Sequence, residues 1–152
     1  MRHVTIYTDG AARGNPGPGG YAAVLEYIDS RGISHTKEVF AGCGMTTNNR
    51  MELVAAIAGI RCLIMPCEVI LYSDSKYLVD AFNQGWIKKW QNNEWKKSDG
   101  TPVKNIDLWK LLIEVKQPHN ITFRWVKGHA GNRQNERCDQ LATAAADSIA
   151  DK

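Results

Sequence analysis

The order of apolar patterns along the chain constrains its fold more than any other feature of the sequence. Three runs in which apolar and polar residues alternate come first, at residues 4–8, 21–27 and 33–40. The turn-forming residues 29–32 separate the second run from the third. This pattern predicts three consecutive antiparallel strands, with Asp9 at the end of the first strand.

Helical patterns begin after residue 46. A helix is predicted from about residue 49 to residue 64, with Thr47 or Asn48 as its N-cap and Pro66 beyond its end. Its expected apolar stripe consists of Leu53, Ile57, Ile60 and Ile64. A helix with this much apolar surface is expected to lie buried against the sheet.

The remaining segments alternate between strands and helices. Residues 69–72 form a continuously apolar run that is typical of a strand covered on both faces. Helices follow at residues 75–82 and at about 105–115, then a last strand at 121–126 and a helix capped by Asn132. The inner face of that last helix is expected to contain Cys138, Leu141, Ala142 and Ala145. The whole order predicts an α/β fold with a mixed five-stranded sheet, three antiparallel strands and then parallel strands, covered by helices.

Length and composition predict one globular domain over residues 1–152. The chain is 43% hydrophobic and 23% charged, which is ordinary for a globular protein. No apolar run approaches the roughly 20 residues that span a bilayer, and no signal peptide is visible at the N-terminus. The four cysteines include no Cys-x-x-Cys pair, so we expect reduced thiols in a cytoplasmic protein. No apolar stripe is left over for a partner subunit, which favours a monomer without membrane contacts.

Four acidic residues lie in four separate segments of the chain: Asp9, Glu52, Asp74 and Asp139. Asp9 and Asp74 each follow an apolar strand, and ligands of α/β folds bind at the carboxyl ends of strands. Glu52 and Asp139 lie on predicted helices beside the buried faces. Mg²⁺ takes oxygen ligands and borrows others from a phosphate substrate. These carboxylates therefore predict a metal site with phosphate chemistry.

Each carboxylate also has an ordinary structural interpretation. Asp9 could cap the glycine-rich turn through its own backbone, and Asp139 could pair with Arg133 or Arg137 on its helix. Any single acid is most often a solvated surface charge. The metal interpretation depends on all four residues meeting at one edge of the sheet.

Five sequence motifs identify a family. They are TDG with GNPGPGGY at 8–10 and 14–21, TTNNRMEL at 46–53, SDS at 73–75, PVKNIDLW at 102–109, and WVKGHAG with NERCD at 125–131 and 135–139. Their order and content resemble ribonuclease H of the bacterial type 1 class over nearly the whole chain. One such motif is weak evidence, whereas five in the correct order are specific.

The resemblance implies an activity and a set of catalytic groups. Asp9, Glu52, Asp74 and Asp139 would hold two Mg²⁺ ions, with Mn²⁺ as a substitute, for hydrolysis of the RNA strand of an RNA/DNA hybrid. The products would carry 5′-phosphate and 3′-hydroxyl ends. His129 lies in a glycine-flanked loop, and its near-neutral pKa suits proton transfer at working pH. The resemblance assigns His129 to water activation or product release.

A basic, tryptophan-rich segment, here called the basic protrusion, covers about residues 85–104. Its five lysines and two acids give the segment a formal charge of +3. The formal net charge of the whole chain is also +3. The interleaved aromatic and cationic residues are Trp86, Lys88, Lys89, Trp90, Trp95, Lys96 and Lys97. They predict a surface that follows phosphates, although the tryptophans could also pack the segment together. Because residues 91–94 (QNNE) carry less positive charge than in well-known bacterial members, we expect weaker hybrid binding and a shallower salt dependence.

Other predicted substrate contacts come from the resemblance alone. Asn15, Asn48 and Lys76 would touch the hybrid, while Thr47 and Asn105 would bind a phosphate of the DNA strand. The segment at 10–20 lacks the spacing of a dinucleotide-binding loop, and its prolines remove backbone donors. Its backbone is instead expected to approach the RNA minor groove, where 2′-hydroxyls distinguish RNA from DNA.

Two other functions remain open on the sequence alone. A DNA-directed nuclease or transposase-like core shares the acidic metal chemistry, but the sequence shows no flanking DNA-binding domain. A hybrid-binding module without activity would not need four acids and His129 together.

Overall fold

A computed structural model describes residues 2–127 and 132–151 of the chain. The elements in chain order are β1 (Arg2–Ala12), β2 (Gly17–Ile28), β3 (Ser34–Thr46), α1 (Asn48–Arg61), β4 (Cys67–Ser73), α2 (Lys76–Asn83), α3 (Trp86–Asn92), α4 (Ile106–Lys116), β5 (Asn120–Trp125) and α5 (Arg133–Ala150).

The five strands form one mixed sheet in the order β3-β2-β1-β4-β5. β1 pairs antiparallel with β2, and β2 pairs antiparallel with β3. β4 runs parallel to β1, and β5 runs parallel to β4. The predicted mixed sheet is confirmed, and β1 is its central strand.

The helices cover both faces of this sheet. Ala23 and Leu25 of β2 belong to the large core that contains the buried residues of α1, α2 and α4. Their neighbours Ala22 and Val24 pack instead with Cys138 and other residues of α5. Because successive side chains of a strand point to opposite faces, α1 and α5 lie on opposite sides of β1 and β2.

The glycine-rich segment at residues 10–20, interpreted above as a turn, is mostly strand. β1 continues past Asp9 to Ala12 and β2 begins at Gly17, so only residues 13–16 connect them. A β-carbon on Gly20 would lie 2.4 Å from the carbonyl oxygen of Ala142. Glycine at this position therefore lets α5 approach the sheet closely.

Two predictions are wrong: the length and apolar stripe of α1, and the burial of β4 on both faces. α1 ends at Arg61, and Ile64 is 86% exposed rather than part of the buried stripe. Among the described residues, helices cover only one face of β4, because α5 contacts β1, β2 and β3. Side chains on the other face of β4, such as Ile70 and Tyr72, are accordingly half-buried.

The described part of the chain contains no helix long and apolar enough to cross a membrane. Cys43, Cys62, Cys67 and Cys138 are free thiols, as the sequence predicts.

Candidate active site

The site begins where β1 and β4 separate. The two strands pair in parallel as far as Tyr7 and Tyr72, after which β1 continues with β2 while β4 ends at Ser73. The hydroxyl of Thr8 donates a hydrogen bond to the carbonyl oxygen of Tyr72 at 3.1 Å and closes the base of this fork. Asp9 and Asp74 then follow on the two branches. The prediction that Asp9 ends its strand is wrong, but its position is at the end of the parallel pairing.

Glu52 enters the fork from α1. A β-carbon on Gly10 would lie 2.5 Å from the backbone nitrogen of Glu52, so the missing side chain lets α1 pack against β1 here. The backbone N–H of Gly10 donates to carboxylate oxygens of both Asp9 and Glu52. Ser73 donates its hydroxyl to the other Glu52 oxygen at 3.4 Å. Glu52 is 6% exposed, so this hydrogen-bonded carboxylate is buried at the base of the fork.

Asp139 reaches the same place from the opposite face of the sheet. Tyr7 packs on the α5 side of β1, and Asp9, two residues later, points in the same direction. The thiol of Cys138 donates to the carbonyl oxygen of Tyr7 at 3.1 Å, which fixes α5 against β1. Asp139, the next residue, lines the same cleft as Asp9 and is close enough to contribute to the raised pKa of Asp9.

Burial and mutual repulsion raise the pKa of two of these carboxyls. Desolvation raises the pKa of Asp9 to about 8, with further contributions from the charge of Asp74 and from Asp139. Desolvation also raises the pKa of Glu52 well above its usual value, and the charges of Asp74 and Asp9 add to this effect. Carboxylates crowded in this way are stabilised in their charged form by a cation.

The donor set fits a divalent cation. Asp9, Glu52 and Asp74 each offer a carboxylate oxygen, and these three atoms lie within 4.8 Å of one another. Hard cations such as Mg²⁺, Ca²⁺ and Mn²⁺ favour such all-oxygen sites.

Two polar residues without a predicted role also line the acidic cleft. The cleft is formed by Thr8, Asp9, Asp74, Val126, Lys127, Asn135 and Asp139. Lys127 follows the end of β5 much as Asp74 follows β4, and Asn135 precedes Asp139 by one helical turn. Both positions could have been found in the sequence, because strand ends meet at one sheet edge and residues four apart share a helix face.

Comparison with known proteins assigns the family. The RNase H family model matches residues 1–147. The chain belongs to the ribonuclease H family. A ribonuclease H from Lachnoclostridium phytofermentans is 61% identical over 145 residues, which cover 95% of this chain and 92% of that protein. The resemblance carried by the five motifs is confirmed, and the chain is a nuclease of the hydrolase class.

Solved ribonuclease H structures share the fold. The crystal structure of LC9-RNase H1, a type 1 RNase H with the type 2 active-site motif, is similar with a TM-score of 0.88 and 32% identity, and the match covers 98% of this chain and 74% of that one. LC11-RNase H1 in complex with RNA/DNA hybrid is similar with a TM-score of 0.64 and 28% identity, over 97% of this chain and 99% of that one.

Three of the substrate contacts predicted from the ribonuclease H resemblance lie together at the start of α1. Thr47 is the N-cap, and its side chain accepts a hydrogen bond from the backbone nitrogen of Arg50 at 3.2 Å. The side chain of Asn48 accepts from the backbone nitrogen of Ala12 at 2.7 Å, while Asn15 accepts from that of Asn48 at 3.3 Å. These bonds hold the β1–β2 connection against α1.

Asn105 is fixed by a side-chain network at the start of α4. Its side-chain oxygen accepts from Arg50 at 3.1 Å, and its amide donates to the hydroxyl of Tyr77 at 3.0 Å. Arg50 also forms an ion pair with Asp107 at 2.8 Å. Arg50 thus links Asn105 to Thr47, so the two predicted phosphate contacts of a ribonuclease H are neighbours.

The basic protrusion packs through its tryptophans and exposes its lysines. Trp90 lies 6.2 Å from Trp86, 6.4 Å from Trp95 and 5.4 Å from the buried Trp109, measured between ring centroids. The tryptophans therefore pack the segment onto the core, as the structural alternative expects. The lysines at 88, 89, 96 and 97 are exposed around them, and Lys76 is exposed at the start of α2.

The structural alternatives for the acids have mixed outcomes. Gly10 does donate to Asp9 at 3.0 Å, so Asp9 has the local backbone contact as well as the cleft contacts. Arg137 pairs with Glu38 of β3 at 2.7 Å. His129 lies outside the described residues, and its assigned role stays a prediction.

Proposed function

We propose that this ribonuclease H hydrolyses the RNA strand of RNA/DNA hybrids and leaves 5′-phosphate and 3′-hydroxyl ends. The observation that carries the proposal is the meeting of Asp9, Glu52 and Asp74 at the fork between β1 and β4, with Asp139 of α5 in the same cleft. The basic protrusion, whose charge equals the net charge of the whole chain, supports an anionic substrate. The similar LC11-RNase H1 was solved with an RNA/DNA hybrid, which supports the choice of substrate.

Asp9, Glu52, Asp74 and Asp139 would hold two Mg²⁺ ions, and Mn²⁺ could replace them. Such ions, when bound, supply an activated water and stabilise the leaving oxygen of an in-line displacement. The chain itself contributes fixed ligand positions, because hydrogen bonds from Gly10 and Ser73 orient the buried Glu52. His129 is assigned by the resemblance to water activation or product release.

The remaining contacts would hold the hybrid across the site. Asn15, Asn48 and Lys76 would contact the hybrid, whose RNA strand must reach the acidic cleft to be cut. Thr47 and Asn105 would take a phosphate of the DNA strand. The exposed lysines of the basic protrusion would follow the DNA backbone, with affinity that falls as salt rises.

We also propose that the chain acts as a single catalytic domain, as a monomer, in the cytoplasm. Four free thiols support a reducing compartment. The match of one family model to residues 1–147 supports one catalytic unit.

Cleavage of labelled substrates tests the activity. The protein is given RNA/DNA hybrid, duplex DNA or duplex RNA, with Mg²⁺ or with a chelator. We expect cutting of the hybrid only, and only with Mg²⁺. Cutting of duplex DNA would support the transposase-like alternative instead, and hybrid binding without cutting would support an inactive binding module.

A matched pair of variants tests the site. Asp9→Asn removes one charge in the cleft, and Glu114→Gln removes one exposed charge on α4. We expect loss of turnover in the first variant and wild-type turnover in the second. Near-normal activity of Asp9→Asn would contradict the metal assignment.

A further inference from the structure

Trp125 is a large aromatic residue that stands exposed beside the acidic cleft. It is the last residue of β5, pairs in register with Ser73, and is 43% exposed. The two residues that follow it, Val126 and Lys127, line the cleft. Neither the sheet core nor the predicted substrate contacts account for an exposed indole at this position.

The edge of the indole is tied to a predicted metal ligand. Its N–H donates to the backbone carbonyl oxygen of Asp74 at 3.0 Å. The backbone N–H of Val126 donates to the carbonyl oxygen of Ser73 at 2.9 Å. These two hydrogen bonds from β5 hold the Ser73–Asp74 backbone and fix the position of the Trp125 ring relative to the cleft.

The face of the same ring carries a cation. The ammonium nitrogen of Lys76 lies 4.6 Å from the ring centroid, which is within the range of a cation–π interaction. Lys76 is the first residue of α2, where the positive end of the helix dipole disfavours a positive charge. Helix stability therefore does not explain a lysine here, whereas the indole face stabilises its charge.

We propose that Trp125 is a positioning residue that holds the Lys76 ammonium at the rim of the cleft, where it binds a phosphate of the RNA strand next to the one that is cut. The inference rests on the proposed function and names the group that sets the direction of Lys76. A lysine acts as a point charge with three donors, so it can contact the ring and a phosphate oxygen together.

The geometry explains why one tryptophan makes both contacts. Lys76 follows Asp74 by two residues, so a flexible lysine could also turn back towards the acidic cleft and occupy the place of a cation. A ring anchored to the Asp74 backbone gives the ammonium a different contact, at 4.6 Å from the ring centroid. The Trp125–Lys76 pair therefore separates the cation that binds substrate from the carboxylates that bind metal.

Hybrid binding in chelator, measured at several salt concentrations, tests the proposal without turnover. We expect Lys76→Gln to weaken binding about threefold to tenfold at low salt and to lower the slope of log Kd against log salt by about 0.7 to 0.9, which is the loss of one phosphate contact. Trp125→Leu should cause a similar loss by itself and little further loss when combined with Lys76→Gln. Trp125→Phe keeps a ring face and should retain most of the slope.

Lys37→Gln is the matched control for the change in charge. Lys37 is exposed on β3, the edge strand opposite β5, so its removal should leave the slope unchanged. Circular dichroism melting shows whether each variant is folded. If Trp125→Leu does not fold, Trp125→Met, which also lacks a ring, replaces it in the same cycle.

Two results would overturn the proposal. An unchanged salt slope in Lys76→Gln would mean that Lys76 contacts no phosphate. Additive losses in the double variant would mean that Trp125 acts independently of Lys76. In either case a wild-type protein that still cuts the hybrid with Mg²⁺ leaves the proposed function standing, whereas a protein that cuts no hybrid refutes that function first.

Discussion

The acidic cleft and the basic protrusion differ in charge and in how their residues are brought together. The cleft combines residues 9, 52, 74 and 139, which β1, α1, β4 and α5 bring to one point. The protrusion is one continuous segment that packs on the core through its tryptophans. A negatively charged cleft repels a phosphate until cations are bound, while exposed lysines attract it. The two regions should therefore control turnover and affinity separately.

Asp74→Asn should produce the largest effect and separate the two regions most clearly. We expect turnover to fall by about 1000-fold or more, because a ligand of the metal site is lost. Hybrid binding measured in chelator should be unchanged or tighter, because a negative charge near the phosphates is removed. The measurements are single-turnover cleavage with Mg²⁺ and fluorescence anisotropy without it. A parallel fall in both quantities would show that the cleft also controls affinity.

Trp90→Leu should disrupt the protrusion while leaving the cleft in place. Trp90 contacts three other tryptophans, so we expect a loss of about 2 to 4 kcal/mol in the free energy of unfolding. KM should rise and kcat should change little. Urea denaturation and steady-state kinetics measure these effects. Phe40→Leu, at a 54% exposed aromatic residue on β3, is the control and should change neither quantity.

The metal-free protein should lose stability as pH rises, and this effect should come from the cleft. The folded state raises the pKa of Asp9 from 3.8 to about 8, so between these values the folded protein binds more protons than the unfolded chain. The free energy of unfolding in chelator should therefore fall between about pH 4 and pH 8, and Mg²⁺ should restore it at pH 8. Asp9→Asn should flatten the dependence. Equal slopes for the two proteins in urea denaturation would contradict the assignment of this effect to Asp9.

Removing the charges of Lys88 and Lys89 tests the protrusion alone. The double change to glutamine should lower the slope of log KM against log salt by about 1.4 to 1.8, if each lysine contacts one phosphate. Turnover at saturating hybrid should remain within about twofold, since neither side chain lines the cleft. A slope equal to that of the wild type would mean that the DNA strand does not follow α3.

The smallest expected change comes from adding charge to the same surface. Lysine at position 92 or 93 would raise the positive charge of residues 91–94, but the amide of Asn93 donates to the carbonyl oxygens of Lys96 and Lys97 at 2.9 and 3.2 Å. Asn92 is exposed at the end of α3, so Asn92→Lys adds charge without removing these bonds. We expect KM at low salt to fall by about twofold to threefold. If KM is unchanged at low and moderate salt, the weak charge of residues 91–94 does not limit binding.

The sequence predicts the five strands and most helices because apolar periodicity reports burial on a local scale. It does not predict that β1 continues beyond Asp9, because that extension depends on pairing with β2 after β4 has ended. The half-exposed face of β4 is missed for a similar reason, since the position of α5 depends on close approach at glycines such as Gly20.

The four carboxylates could be named from the sequence, whereas the groups that orient them could not. Gly10 and Ser73 act on Glu52 through contacts between β1, α1 and β4, and no spacing in the sequence indicates such contacts. Local signals did exist for Lys127 and Asn135, which lie at a strand end and one turn before Asp139. The tryptophan packing was predicted as an alternative because aromatic residues close in sequence often share one cluster.

The fork between β1 and β4 has a consequence for protein synthesis. Its carboxylates come from both extremes of the chain, with Asp9 in the first strand and Asp139 in the last helix. A growing polypeptide still attached to the ribosome holds at most three of them until α5 has emerged. We expect a fragment that stops before residue 132 to cut no hybrid, because it lacks α5 and Asp139, so the nuclease would become active only after translation has passed α5.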